Sequence, residues 1–254
     1  MIKKIIKKFF FSFGLKISKN NHSIEILNTN DYISFTKEDK NYRLYKEGLR
    51  KSENEKSDNI QKKIRFNYII QLAQHILKKK KIYNFAECGC WKGHSSFIIA
   101  KLISRSKKKI KFNIFDSFEG LSSVTKFDKE LNKLDSKEKK YIKNQFSSEE
   151  NFIKNNVLKQ YPFCKIYKGW IPYRFNEVKN QKFSFVHIDV DLYKPTLESL
   201  KFFFPRLVKG GIIICDDYNS KIFDGAKKAW DKYFKYKEFS YFIQNPIGGC
   251  FLIK

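Results

Sequence analysis

Short apolar runs that alternate with helical stretches constrain the fold of this chain more than any other feature. The runs typical of strands are 82–88, 110–116, 164–168, 183–189 and 211–216. The stretches with apolar residues at helical spacing are 62–77, 95–105, 195–207 and 224–236. Strands joined by helices in this way lie parallel in one sheet, with helices on both of its faces. The alternation therefore predicts an α/β fold built on a parallel sheet.

The C-terminal end of the chain follows a different pattern. Residues 239–244 and 249–253 are both strand-like, and only the short sequence NPIG separates them. Two strands joined by so short a turn pair antiparallel. Together with the runs above, they predict a mostly parallel, seven-stranded sheet that ends in an antiparallel hairpin.

A long charged stretch, 121–160, interrupts the alternation of strands and helices. It is mainly helical in propensity and lies between two predicted core strands, so we expect a lid-like insert at one end of the sheet. Residues 20–62 are polar without a clean period and are expected to be irregular. The sequence thus predicts a basic N-terminal region, 1–60, that serves as a cap or an oligomer contact, and one domain, 61–254, that carries the insert.

The first 20 residues hold six lysines and no acid, with isoleucine and phenylalanine between them. Lys7 and Lys8 interrupt the apolar patch and no A-x-A cleavage site follows, so we expect no secretory signal. Two alternatives stay open for this segment. One is a helix that contacts a membrane surface through residues 1–15; the other, which we favour, is a helix packed on the domain or on a partner subunit of a homo-oligomer. No apolar run approaches the about 18 residues of a membrane-spanning helix.

The strong positive charge, +26, comes from 46 lysines and 6 arginines against 26 acids. Arginine is the residue that proteins favour for recognising phosphates and bases. Lysine, isoleucine, asparagine, phenylalanine and tyrosine all have A/T-rich codons, so we interpret the lysines as a solvated surface and expect no nucleic-acid partner. The five cysteines are odd in number and scattered, which predicts free thiols in a reducing compartment, the cytoplasm.

A glycine-rich motif, ECGCWKGHSS, follows the first predicted strand and leads into a helix. Gly89 and Gly93 allow a sharp turn and a close approach of the backbone to a ligand, and the amides of the helix start near Ser95 face the same crevice. The spacing differs from G-x-G-x-x-G, which counts against a nicotinamide cofactor, and it lacks the Lys-Ser/Thr of a phosphate-binding loop. The alternative is a glycine-rich turn without a ligand.

An acidic residue, Asp116, ends the second predicted strand, 23 residues after Gly93. A carboxylate at this place in a βαβ unit can accept hydrogen bonds from both hydroxyls of a ribose. Together with the glycine motif, Asp116 predicts a nucleoside site. Taken alone, it also fits a cap at the end of a strand.

Acids also follow the next pair of apolar strands, in a chain that is otherwise basic. Asp189 and Asp191 follow the run FSFVHI, and Asp216 and Asp217 follow the run GIIIC. Adjacent parallel strands end side by side, so these carboxylates are expected to converge, and their burial is unfavourable unless they are paired or bind a cation. Oxygen clusters of this kind suit Mg²⁺ or Ca²⁺. For a single acid at a strand end, the alternative is a helix cap.

Two histidines lie near these motifs. His187, inside the strand FSFVHI, is expected to be a core residue with satisfied hydrogen bonds. His94 lies in the glycine motif, where a helix cap and a ligand contact are both open. Neither histidine is assigned a catalytic role.

With these motifs the chain resembles the macrocin O-methyltransferase family of adenosylmethionine- and metal-dependent enzymes, from about residue 83 to residue 254. The matching runs are AECGCWKGHSS, IFDSFEGL, KGWIPYRF, HIDVDLYKPTLESLKFFFPRLVKGGIIICDDY and the C-terminal hairpin. The resemblance implies the Rossmann-like fold of a class I methyltransferase.

The resemblance also implies roles for individual residues. The residues implied at the methionine end of S-adenosyl-L-methionine are Glu87, Gly89, Gly93 and Ser95. The residues implied at its ribose and adenine are Asp116, Ser117, Gly169 and Trp170. The implied Mg²⁺ ligands are Asp189, Asp216 and Asp217. Asp191 is the implied general base. Asp189 is implied as a second catalytic residue and also as a cofactor contact.

The expected function is Mg²⁺-dependent methyl transfer from S-adenosyl-L-methionine to a sugar hydroxyl, in a nucleotide sugar, a glycoside or a surface-glycan precursor. A metal favours an acceptor with two neighbouring oxygens, so a catechol-like phenol is the main alternative acceptor. A nucleic-acid methyltransferase is less favoured because the acid-rich strand ends read D-x-D-L-Y and D-D-Y and not N/D-P-P-Y/F. A non-catalytic cofactor-binding protein is less favoured because all three predicted metal ligands are present.

Overall fold

The structure is a computed structural model that describes residues 39–245 and 248–254, together with the backbone at 15–16 and 25–26. The chain divides into two compact units, Met1–Arg43 and Leu44–Lys254. In the first unit, the short strands Leu15–Lys16 and Glu25–Ile26 pair antiparallel. The helix predicted for residues 1–15 falls almost entirely outside the described residues, as does most of the predicted N-terminal region before residue 39.

A sheet of seven strands forms the centre of the second unit. Its strands are β1 Asn84–Cys88, β2 Phe112–Asp116, β3 Cys164–Lys168, β4 Phe183–Ile188, β5 Leu207–Cys215, β6 Tyr241–Gln244 and β7 Cys250–Ile253. Their order across the sheet is β3-β2-β1-β4-β5-β7-β6. Only β7 runs antiparallel to its neighbours β5 and β6. The predicted mostly parallel sheet with an antiparallel C-terminal hairpin is therefore confirmed.

Helices cover both faces of this sheet or connect its strands. They are α1 Lys40–Lys51, α2 Ile60–Leu77, α3 His94–Ser106, α4 Lys129–Asn132, α5 Ser136–Gln145, α6 Glu150–Phe152, α7 Tyr193–Arg206 and α8 Asp224–Phe234. A π-helical turn, Ile153–Val157, follows α6, and 3₁₀ turns lie at Glu55–Ser57 and Phe175–Val178. The predicted insert thus carries α4, α5, α6 and the π-helical turn.

The expectation of an irregular segment at 20–62 is wrong for the residues that form α1. Its sequence, KNYRLYKEGLRK, is polar on average, with one short apolar face formed by Leu44, Tyr45, Gly48 and Leu49 at helical spacing. Leu44, Tyr45 and Leu49 are nevertheless fully or almost fully buried. Gly48 lies so close to α3 that a Cβ atom there would come within 2.7 Å of His94 Cδ2. The packing of this short apolar face against α3 therefore stabilises the helix.

The parallel strands bring their carboxyl ends to one edge of the sheet. Hydrogen bonds continue the ladder one residue beyond the strands: the Gly89 amide donates to Phe115 O (2.8 Å), the Asp189 amide to Cys88 O (2.8 Å), and the Asp216 amide to Ile188 O (2.9 Å). Residues that directly follow the strands are therefore held in fixed positions along this edge.

The helices and the cysteines can be compared with the expectations of no membrane-spanning helix and of free thiols. None of the helices in the described part of the chain is long and apolar enough to cross a membrane. All five cysteines lie in the described part and are free. Cys88, Cys90 and Cys250 are buried in the core, and burial raises the pKa of their thiols far above the ordinary value. These cysteines therefore do not form the thiolate that a nucleophile requires.

His94 packs in the core where α1, α2 and α3 meet. Its ring lies 4.2 Å from the Phe66 ring and 4.9 Å from the Tyr45 ring, measured between centroids. Its Nε2–H donates to Tyr45 O at 2.9 Å. Burial, together with the charge of Lys62, lowers the pKa of His94 to about 3. His94 is thus a neutral residue packed in the core.

We expect His94 to make folding sensitive to acid. The unfolded chain takes up a proton on this ring as the pH falls through about 6.5, whereas the folded chain does not until about 3. The contribution of neutral His94 to the free energy of unfolding is therefore fully present above pH 6.5. It is lost as the pH falls towards 3, by up to about 1.4 kcal/mol per pH unit. His94→Gln keeps an amide donor for Tyr45 O but does not titrate. Its free energy of unfolding, measured by urea titration between pH 7 and pH 4, should fall less steeply than that of the wild type.

The exposed His75 supplies the matched control, since His75→Gln should follow the wild-type pH dependence. An unchanged pH dependence in His94→Gln would contradict the buried, neutral state of His94.

Candidate active site

The loop between β1 and α3 turns sharply at its glycines. Gly89 has φ +81°, and a Cβ atom there would lie 1.8 Å from Asp189 O. Gly93 has φ +80° and faces Val157 and Ile153 of the insert. The Gly93 amide donates to Cys90 O at 2.7 Å, which closes the turn just before α3 begins. The first glycine is therefore required by the close approach of β4, and the second by the approach of the insert.

The carboxylate of Asp116 holds this loop in place. Its Oδ2 accepts from the amides of Cys90 (2.7 Å) and Trp91 (3.0 Å), and its Oδ1 accepts from the amide of Phe118 (2.7 Å). Two carboxylate oxygens offer about four lone-pair sites, so acceptor capacity is left. Asp116 is thus both the strand-end cap that the sequence left open and a wall of the adjacent pocket.

An open pocket lies along this edge of the sheet. The predicted site residues that line it are Gly89, Asp116, Ser117, Gly169, Trp170, Asp189 and Asp191. Leu121, Ser122 and Phe146 of the insert line it as well. Ser148 Oγ donates to Trp91 O at 2.7 Å, which ties the insert to the glycine loop.

Three of the predicted cofactor residues do not line the pocket. Gly93 shapes the turn, and Ser95 is buried in the first turn of α3. Glu87 is fully buried, and its carboxylate accepts from Ser96 Oγ and contacts His187 Nδ1 at 3.0 Å. Direct contacts from these residues to a cofactor stay predictions.

The four predicted acids come together in the crevice beside the pocket. Carboxylate oxygens of Asp189, Asp191 and Asp217 all lie within 4.8 Å of one another, and Asp189 and Asp216 form a second such group with a ring nitrogen of His187. Asp191 has φ +60°, and its amide donates to Asp217 Oδ2 at 3.0 Å. This backbone turn directs one cluster residue, Asp191, towards the pocket.

Burial and mutual repulsion make these carboxylates hard to ionise together. Burial, followed by the charges of the neighbouring acids, raises the pKa of Asp189 and of Asp191 well above the ordinary value. The same causes raise the pKa of Asp217 to about 6. A divalent cation would relieve this repulsion, and its preferred ligands are carboxylate oxygens at such spacing. The residues present therefore fit a divalent metal.

Two cations on α2 face the acids, and neither was assigned a role from its sequence. Arg65 Nη1 forms an ion pair with Asp216 Oδ2, and attraction to Asp216 raises the pKa of Arg65. Lys62 is buried, which lowers its pKa to about 8, and its Nζ lies 5.8 Å from the centroid of the Trp91 ring. A usable signal existed: Arg65 is one of six arginines among 46 lysines, and it lies beside Phe66 on the buried side of the helix.

A half-buried aromatic row extends from the pocket. The Trp91 and Phe146 rings lie 6.1 Å apart, and the Phe146 and Phe223 rings lie 5.7 Å apart, between centroids. On the far side of the pocket, Lys143 Nζ lies 5.7 Å from the centroid of the Trp170 ring. The crevice therefore combines acids at the strand ends with flat apolar walls.

Comparison with known proteins identifies the kind of protein that shares these features. The family model described as macrocin O-methyltransferase (TylF) matches residues 19–247. This confirms the resemblance drawn from the motifs and extends it into the N-terminal region. No curated protein matches the chain at significant similarity.

Solved structures share the fold at low sequence identity. The O-methyltransferase NovP is 17% identical, with a TM-score of 0.56 over 74% of this chain and 78% of NovP. The calicheamicin methyltransferase CalS11 is 15% identical, with a TM-score of 0.58 over 84% of this chain and 91% of CalS11; its apo structure is described as a TDP-rhamnose 3′-O-methyltransferase. An O-methyltransferase from Bacillus cereus, in complex with SAH, is 13% identical, with a TM-score of 0.52 over 100% of both chains. At such identities these likenesses establish the fold alone.

Proposed function

The chain belongs to the macrocin O-methyltransferase family, and from this premise we propose that it methylates a sugar hydroxyl at a divalent-metal site. It is accordingly an S-adenosyl-L-methionine-dependent O-methyltransferase that acts on a small molecule. One observation carries the finer proposal: Asp189 and Asp191 belong both to the lining of the pocket and to the acidic cluster. A cofactor in the pocket and a metal-held acceptor would therefore meet at these two residues.

In this proposal the pocket holds the cofactor through residues on three strand ends. Asp116 accepts hydrogen bonds from the ribose, Gly169 and Trp170 flank the adenine, and the backbone at Gly89 approaches the methionine end. Ser117 lies in the pocket lining beside Asp116 and is a further contact. The neighbouring solved enzyme in complex with SAH supports a cofactor of this type.

The acidic cluster holds the metal and the base in this proposal. Asp189, Asp216 and Asp217 would be the Mg²⁺ ligands, and a bound Mg²⁺ would polarise the acceptor hydroxyl and lower its pKa. Asp191 faces the pocket and takes the proton from that hydroxyl. The protein otherwise contributes by aligning the acceptor oxygen with the methyl group and by excluding water.

The walls of the crevice support a sugar as the acceptor. The half-buried rings of Trp91, Phe146 and Phe223 offer flat apolar faces, on which a sugar ring can stack, beside acids that accept from its hydroxyls. The solved CalS11 enzyme, described as acting on TDP-rhamnose, supports a nucleotide sugar in particular. The insert 121–160 serves as the lid, since Leu121, Ser122 and Phe146 reach the pocket. The free thiols support a cytoplasmic enzyme.

An acceptor panel tests this proposal. Methyl transfer from radiolabelled S-adenosyl-L-methionine is measured on TDP-rhamnose, UDP-glucose, a simple glycoside, catechol and an oligonucleotide, with Mg²⁺ and with excess chelator. We expect turnover of at least one sugar, and loss of that turnover in chelator. Turnover of catechol or of the oligonucleotide with none on any sugar would overturn the acceptor class. Full turnover of a sugar in chelator would overturn the metal.

Asp116→Ala should weaken the binding of S-adenosyl-L-methionine by about 10–100-fold. Two hydrogen bonds to a charged acceptor are lost, each worth about 1.5–3 kcal/mol before water recovers part of them, and the amides of Cys90 and Trp91 lose their anchor. Isothermal titration calorimetry measures the dissociation constant. Asp135→Ala is the matched control, because Asp135 also accepts a backbone amide, that of Glu138 at 2.8 Å, but lies on the exposed insert. Equal dissociation constants of the two variants for S-adenosyl-L-methionine would show that Asp116 only caps the end of its strand.

A further inference from the structure

One buried side chain beside the acidic cluster has no use in the function proposed above. His187 lies on β4, two residues before Asp189, so both side chains point to the same face of the sheet. It is 1% exposed. Its Nδ1 lies 3.0 Å from Glu87 Oε1, while its Nε2 is buried and has no hydrogen-bond partner among the residues that the structure describes. The expectation of a core histidine with satisfied hydrogen bonds is therefore wrong for this nitrogen.

Glu87 fixes the orientation and the tautomer of the His187 ring. The two residues are register partners on the adjacent parallel strands β1 and β4. Ser96 Oγ donates to the other oxygen of the Glu87 carboxylate, so the carboxylate cannot rotate freely. When the imidazole is neutral, the carboxylate accepts its Nδ1–H and the lone pair lies on Nε2. Burial lowers the pKa of His187, but the hydrogen bond and charge of Glu87 outweigh it and raise the pKa to about 9, so a metal at Nε2 would displace a proton. A carboxylate behind one ring nitrogen is the usual support of a histidine that binds a metal through the other.

The His187 ring lies near oxygen ligands at a suitable distance. A ring nitrogen of His187 and carboxylate oxygens of Asp189 and Asp216 all lie within 4.8 Å of one another. Ligand atoms about 2.0–2.2 Å from one ion lie at most about 4.4 Å apart, so small shifts close this set on a cation. Arg65 occupies Oδ2 of Asp216 and leaves Oδ1 for an ion.

We propose that His187 Nε2 is a ligand of the metal, together with Asp189 and Asp216, and that the site prefers a first-row transition metal to Mg²⁺. This inference rests on the proposed metal-dependent function. Sites made only of oxygen suit Mg²⁺ and Ca²⁺, whereas an imidazole ligand shifts the preference towards first-row transition metals. A nitrogen ligand from β4, His187 Nε2, is thereby added to the predicted set of three aspartates. Glu87 is the buried carboxylate that orients the His187 ring.

Electron spin echo spectroscopy of Mn²⁺ tests the ligand directly. Metal-free protein, loaded with one equivalent of Mn²⁺, is expected to show nitrogen modulation, and labelling with ¹⁵N-histidine should convert it into the ¹⁵N pattern. The chain has four histidines, so the triple variant His22→Asn, His75→Asn and His94→Gln leaves His187 alone. This variant should keep the modulation, which requires no substitution of His187 itself.

His187→Asn provides the complementary measurement. Asparagine places an amide nitrogen where Nδ1 was, so the bond to Glu87 can persist while Nε2 is removed. We expect the modulation to vanish and the affinity for Mn²⁺, measured by calorimetry, to fall about 10–100-fold, with a much smaller change for Mg²⁺. His75→Asn, at an exposed position, is the matched control and should change neither quantity.

The outcomes separate this inference from the function on which it rests. Mn²⁺ that binds tightly without histidine modulation would overturn the nitrogen ligand and leave an all-oxygen metal site standing. Failure of the wild-type protein to bind either Mn²⁺ or Mg²⁺ would overturn both the inference and the metal in the proposed function. Modulation that disappears in the triple variant would assign the nitrogen to another histidine and would also overturn the inference.

Discussion

Asp191→Asn should lower the turnover of methyl transfer by about 10²–10⁴-fold while the binding of S-adenosyl-L-methionine stays close to wild type. The carboxylate is the only part that changes. Asparagine is one of the few residues that tolerate the left-handed backbone found here, φ +60°, and the amide that donates to Asp217 Oδ2 belongs to the backbone. The variant should therefore fold as the wild type does and lack only the proton acceptor.

Single-turnover transfer of a labelled methyl group, to whichever sugar of the acceptor panel reacts, measures this effect. Calorimetry with S-adenosyl-L-methionine and with Mn²⁺ shows whether binding is kept. A large loss of Mn²⁺ affinity would make Asp191 a metal ligand and not the base. Turnover near that of the wild type would assign the proton transfer to another group.

Gly89→Ala should destabilise the protein by more than about 4 kcal/mol, which is exceptional for a single substitution. The new Cβ would lie 1.8 Å from Asp189 O and 2.8 Å from Asp189 C, and both are backbone atoms that cannot move alone. The ends of β1 and β4 would have to separate, which breaks the bond from the Asp189 amide to Cys88 O. Because Gly89 and Asp189 both line the pocket, the binding of S-adenosyl-L-methionine should be lost as well.

Gly210→Ala separates the steric clash from the backbone strain. Gly210 also has positive φ, +71°, but a Cβ there would meet only Lys79 Nζ, at 3.1 Å, the mobile end of a long side chain. We expect a loss of about 1–2 kcal/mol from the left-handed conformation and no change in cofactor binding. Thermal and urea unfolding of both variants give the comparison. Similar losses of stability in the two variants would contradict the close approach of β1 to β4.

The position of the site along the sheet could be predicted because it depends on local patterns. Apolar runs, helical spacing and short turns are properties of neighbouring residues, and they predicted every strand of the sheet to within a few residues. Parallel strands share one edge for their carboxyl ends, so Asp116, Asp189 and Asp216 had to lie along it. The insert 121–160 was predicted at one end of the sheet for a related reason, since a long polar stretch between two core strands is an excursion from the sheet; Leu121, Ser122 and Phe146 of this insert line the pocket.

Residues that act through distant partners could not be predicted in the same way. Helix α1 is polar apart from one short apolar face, and its packing depends on the fit of Gly48 against His94. Arg65 looked like part of a lysine-rich surface, yet the rotation of α2 turns it onto Asp216. The local sequence can mark such residues as unusual, but it does not show which partner they contact, since each contact joins elements that are far apart along the chain.

The sequence by itself determined the α/β sheet, the antiparallel hairpin, and the glycine and acidic residues at the strand ends, because short-range periodicity and strand direction suffice for these. The tertiary structure alone decided what those residues face. The register of β1 against β4 sets Glu87 opposite His187, and this pairing orients the His187 ring beside the acids. Register and helix rotation follow from the packing of the whole core and not from any local run of residues.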